Sequence, residues 1–86
     1  MKRMTMQEVA DMLQMNVCMD KEGWIYAFSG EPILEEKNGW WQKEKETDVY
    51  ICLNDPDNDR SFVTKFAGDW RESLFRPNRK NQRKAS

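Results

Sequence analysis

The chain is 86 residues long, with 14 basic and 15 acidic side chains, no histidine and two cysteines. That length makes one small domain, burying only roughly 60–65% of the surface its unfolded form exposes, so the core is thin. Without histidine the commonest general base and the commonest metal ligand are missing, and two cysteines alone do not hold a structural zinc.

A helix opens the chain. Thr5 with Glu8 three residues on is the capping-box pattern. Met6, Val9, Ala10, Met12 and Leu13 follow as one apolar stripe, with Asn16 as the stop. Val17-Cys18-Met19 is a short apolar stretch, and Asp20-Lys21-Glu22-Gly23 supplies a turn in which Gly23 takes positive φ. Trp24–Phe28 alternates with period two and reads as a strand, so the two stretches form a hairpin. Pro32 ends that strand because it cannot donate to a ladder. Ile33–Glu36 reads as a short edge strand, Asn38-Gly39 as a tight turn, and Trp40-Trp41-Gln42 follows. Lys43–Glu46 is a solvated charge run. Thr47–Leu53 is expected to be a strand, with Val49, Ile51 and Leu53 on one side and Tyr50 and Cys52 on the other. A polar loop, Asn54–Asp59, leads to a further strand over Arg60–Phe66 that shows Phe62, Thr64 and Phe66 to one face. Asp69 caps a short helical element within Trp70–Phe75. From Arg76 to Ser86 nothing apolar anchors the chain, so a domain of residues 1–75 is expected to carry a disordered basic tail, 76–86.

The expected fold is therefore α+β: one N-terminal helix on a twisted antiparallel sheet of four to five strands, with a short C-terminal helical turn and the tail. Period two sorts the strands into two faces. Ile25, Ala27, Val49, Ile51 and Leu53 suit the helix. Trp24, Tyr26, Phe28, Tyr50, Phe62 and Phe66 form an aromatic face, to be covered by Trp40, Trp41 and the Trp70–Phe75 segment, or by a partner. All ten aromatic residues lie between Trp24 and Phe75. They compensate for an apolar content of 38% against 34% charged, since each buries about 150–250 Å².

No apolar run exceeds Val49–Leu53, so none spans a membrane. The Met1–Thr5 start has charge but no apolar stretch behind it, so no secretory signal is read. Cys18 and Cys52 are then expected to be reduced thiols of a cytoplasmic protein. Asp55, Asp57 and Asp59 have the spacing that opens a calcium loop. Arg60 stands where its glycine belongs, and Phe66 where its bidentate glutamate belongs. Residues 5–13 resemble the first helix of helix-turn-helix and excisionase-type DNA binders, but strand periodicity follows where a recognition helix is needed. Neither a glycine-rich phosphate loop nor a nucleophile elbow is present, so no cofactor and no enzymatic activity are expected.

The near-neutral total hides a division. Residues 1–75 carry 9 basic and 15 acidic groups, whereas the tail carries five basic groups and no acid. The acidic body suits a basic groove on a partner. The tail, through Arg76, Arg79, Lys80, Arg83 and Lys84, suits nucleic-acid phosphates.

Trp24-Ile25-Tyr26-Ala27-Phe28, Glu31-Pro32, Trp40-Trp41 and Gly68-Asp69-Trp70-Arg71-Glu72-Ser73-Leu74 together resemble small accessory proteins encoded by phages and prophages, over roughly residues 17–75. The resemblance implies a protein of the bacterial cytoplasm that binds a host protein, including host-defence complexes. The contact surface is then expected to be Trp24, Tyr26, Trp40 and Trp41 with the acidic residues Glu35, Glu36, Glu44, Glu46 and Asp48. A second copy of the chain is another candidate partner. The alternatives are nucleic-acid binding through the tail, with base stacking on aromatics, and a sponge that sandwiches a nucleotide-like molecule between aromatic rings.

Overall fold

A computed structural model describes residues 3–57 and 61–78. Helix α1 spans Met6–Leu13. Thr5 Oγ1 accepts the Glu8 N–H at 3.0 Å, and Glu8 Oε1 accepts the Thr5 N–H at 2.8 Å. Both halves of the capping box are thus formed, and Thr5→Ala should lower stability by about 1 kcal/mol. Urea unfolding checks this, and an unchanged midpoint would mean that the cap is frayed. The helix ends earlier than Asn16, on Gln14 in the left-handed conformation. Met6, Val9 and Ala10 are buried, but Met12 is exposed. Positions 6, 9, 10 and 13 share a face at 3.6 residues per turn, and position 12 falls off it.

Five strands follow: β1 (Asn16–Met19), β2 (Ile25–Phe28), β3 (Ile33–Glu35), β4 (Trp40–Gln42) and β5 (Tyr50–Cys52). All their pairings are antiparallel, but the strands divide into two sheets, β1-β2-β5 and β3-β4, where one sheet was expected. Pro32 and the charge run Lys43–Glu46 flank the second hairpin, and neither continues a ladder into its neighbours. The expected glycine turns are present, with Gly23 at φ 98° and Gly39 at φ 83°. The second sheet is fastened to the first by Lys21 N–H on Gly39 O at 2.9 Å and Trp41 Nε1–H on Met19 O at 3.0 Å.

The expected strand Thr47–Leu53 shortens to β5, and the strand expected over 60–66 is not formed among its described residues. Val63 makes only an isolated parallel bridge to Met4. Alternation misled here: Val63 is fully buried, Phe62 is exposed, and Phe66 packs on the helix-side core and not on the aromatic face. Its ring meets Phe75 edge-on at 5.6 Å between centroids. The core gathers Met6, Val9, Ala10, Val17, Met19, Ile25, Ala27 and Val63, with Leu53, Phe66, Trp70 and Phe75 packed against it. Register places Ile51 beside Ala27, on the helix face as expected, yet Ile51 is exposed because β5 lies beyond the reach of an eight-residue helix. Val49 is exposed as well.

Asp69 caps a one-turn 3-10 helix, Trp70–Glu72, as expected. The segment after it does not cover the aromatic face. It lies along the free edge of β1, where Val17 and Phe75 exchange both main-chain bonds. Contacts continue past residue 75: Gln7 Nε2 donates to Arg76 O at 2.8 Å, and Asn78 N–H to Asp11 Oδ1 at 2.8 Å.

Both cysteines are free. Register puts Cys18, Tyr26 and Cys52 in one row across three strands, so two strand spacings, about 9–10 Å, separate the thiol-bearing residues, too far for a disulfide. Cys18 is buried, and burial, then the Asp20 charge, push its thiol well above the ordinary range. Cys52 is exposed. A maleimide should therefore label one thiol in the folded protein and a second only in denaturant. Equal labelling rates would refute the placement of Cys18.

Candidate functional site

The outer face of the three-stranded sheet follows from register. Phe28 stands beside Tyr50, and Tyr26 beside Cys52. Phe28 and Tyr50 stack with centroids 5.3 Å apart, and Tyr26 meets Tyr50 edge-on at 5.8 Å. These rings form one wall of a pocket of about 510 Å³, whose lining also includes Trp40 and Trp41 of β4. Trp41 is held by its indole N–H on Met19 O. Gln42 and the run Lys43–Glu46 complete that side. The charge run read as a solvated face is thus also a pocket wall.

Asp20 lies in the same lining. Its Oδ1 accepts the N–H groups of Glu22 and Trp24, each at 2.9 Å, which closes the turn into β2. An aspartate at the first position of a turn commonly bonds the main chain two residues on. Asp20 is only 7% exposed. Burial, followed by the neighbouring Cys52, Asp20 and Tyr50, holds the Tyr26 hydroxyl above the usual phenol range, so it stays protonated and able to donate.

Of the aromatic candidates, the pocket brings together Tyr26, Trp40 and Trp41; Trp24 lies outside it, its main chain closing the Asp20 turn. Of the acidic candidates, Glu44 and Glu46 line it. Glu35 is half-buried opposite Trp40 in the second sheet. Glu36 is tied to Arg71 at 2.6 Å, and Arg71 also holds the Asp69 carboxyl below the usual range through hydrogen bonds. Asp48 Oδ2 accepts Lys45 N–H at 3.2 Å, and its carboxylate packs so close to Gly30 that a Cβ there would stand 2.6 Å away. Glu36 and Asp48 are therefore engaged outside the pocket lining.

Arg76 of the basic tail forms an ion pair with Glu31. Arg79, Lys80, Arg83 and Lys84 lie outside the described residues. Sequence reasoning had Phe28 and Tyr50 on the aromatic face but did not name them as site residues, and it missed Asp20, Gln42, Lys43 and Lys45. The turn position of Asp20 was the one available signal, but its burial depends on the second sheet.

A second feature adjoins the pocket. Ser29 N–H donates to Val49 O at 2.9 Å, and Leu53 N–H to Ile25 O at 2.7 Å. In an antiparallel ladder this parity turns the main-chain groups of residues 49, 51 and 53 toward β2, and those of Tyr50 and Cys52 away from it. Among the described residues nothing pairs with that outer edge. The side chains there are open too: Val49 is 60% exposed, Tyr50 52% and Ile51 50%. No described helix is long and apolar enough to cross a membrane. No protein-family model, curated protein or solved structure matches the chain.

Proposed function

We propose that the protein is a non-enzymatic binding protein that receives an extended segment of another protein along β5. The outward main-chain groups of Tyr50 and Cys52, flanked by exposed Val49, Tyr50 and Ile51, carry this reading. An apolar edge strand left open invites aggregation, and proteins ordinarily blunt such edges with charge, proline or a covering element. Here the apolar side chains and the free hydrogen-bonding groups coincide, which is the arrangement strand addition uses. In the setting implied by the resemblance to phage accessory proteins, the partner is a host protein of the bacterial cytoplasm.

Cys52→Pro tests the reading. Its N–H points away from β2, so proline leaves the β2–β5 ladder intact while removing an edge donor. Immobilised wild-type protein should retain a stoichiometric protein partner from bacterial lysate whether or not the lysate is nuclease-treated, and folded Cys52→Pro should not. Equal retention by both, or retention that disappears with nuclease, overturns the proposal.

A further inference from the structure

We infer that the aromatic pocket beside β5 is a receptor for one basic side chain, arginine or lysine, of the segment that β5 receives. This deepens the function proposed above and rests on it. Tyr50 belongs to both features: it is a β5 residue and part of the pocket wall. A strand added at β5 would project alternate side chains on the Tyr50 face, next to the pocket.

The chemistry of the lining selects the charge of what enters. Asp20 is 7% exposed and its Oδ1 is occupied by two main-chain donors. Its Oδ2 has neither hydrogen-bond partner nor ion pair among the described residues. No buried side-chain oxygen is left unpartnered among the described residues, so Oδ2 is the solvent-accessible end of this carboxylate, open to a cation that enters the pocket. The lining adds Glu44 and Glu46 against Lys43 and Lys45, and Lys43 Nζ already donates to Glu46 O at 3.2 Å. The rings of Tyr26 and Tyr50 offer faces to a guanidinium or ammonium. An anionic ligand would have to enter beside the unanswered Asp20 carboxylate.

The test follows the indole N–H resonances of Trp40 and Trp41 during titration with N-acetylarginine amide and N-α-acetyllysine amide. N-acetylcitrulline amide serves as the neutral counterpart and adenosine monophosphate as the anion. At least one basic probe should shift both resonances saturably, with citrulline bound about tenfold or more weakly. Asp20→Asn should weaken the basic probe by a similar factor. That variant keeps an amide oxygen for the Glu22 and Trp24 N–H groups, so the turn survives. Equal binding of citrulline, tighter binding of the nucleotide, or an unaffected Asp20→Asn variant overturns the inference. Cys52→Pro should bind the free probe normally, which separates the two readings. A silent pocket with partner retention intact defeats this inference alone, and a responsive pocket without retention defeats the strand-addition reading alone.

Discussion

Phe28→Ala is expected to cost about 3–5 kcal/mol of folding free energy, the range for removing a buried phenylalanine. Phe28 is 2% exposed although it lies on the outer sheet face, away from the helix. Its ring stacks on Tyr50 at 5.3 Å and meets Tyr26 at 6.3 Å. Truncation would leave a void that these two rings cannot fill, since both are fixed to strands and border the pocket. A domain of this size has only about 5–15 kcal/mol to lose. Urea unfolding at constant slope measures the change, and a loss below about 1 kcal/mol would mean that the outer face is not a second core. Phe28→Leu should recover most of the stability while lowering the pocket's aromatic content.

Ser73→Ala is expected to cost about 1–3 kcal/mol, large for the deletion of one oxygen. Ser73 is fully buried. Its hydroxyl accepts the Met19 N–H at 2.9 Å, and its single proton is shared between Met19 O at 2.9 Å and Trp70 O at 2.6 Å. Met19 O also receives the Trp41 indole, so it keeps a donor in the variant. The Met19 N–H keeps none and stays buried, which is the source of the penalty. Hydrogen exchange at Met19 should accelerate by more than at Val17, whose N–H remains on Phe75 O. Uniform acceleration along β1 would show that only global stability had changed.

Elements whose cause is local were legible in the chain. Thr5 and Glu8 close their box within one turn of helix. Gly23 and Gly39 adopt the positive φ that their turns need, and Asp69 caps the 3-10 turn. The hairpins on either side of Pro32 follow from period two and turn chemistry. Features set by distant residues were not legible. Val63 is buried because Met4 pairs with it, which alternation around Phe62 and Phe66 could not reveal. The second sheet docks on the first through Lys21 and Trp41, and no period in the sequence encodes that docking. The same holds for the pocket. Its aromatic wall was visible as a face of one hairpin, but its enclosure of Asp20 depends on the second sheet.

Among the described residues the main-chain pairing along the edge of β1 is made by the stretch around Ser73 and Phe75, and the Ser73–Met19 bond spans 54 residues. Closing such a loop carries an entropy cost that must be met before the contact gives anything back. On the ribosome, the first hairpin would form early but wait with one flank open until nearly the whole described chain had been synthesised. During that interval the β1 flank of the hairpin, awaiting the Ser73–Phe75 stretch, would be available for mispairing. Ordered completion therefore depends on the last described segment, and a nascent chain stalled short of Ser73 should be far more prone to aggregate than one released just after Asn78.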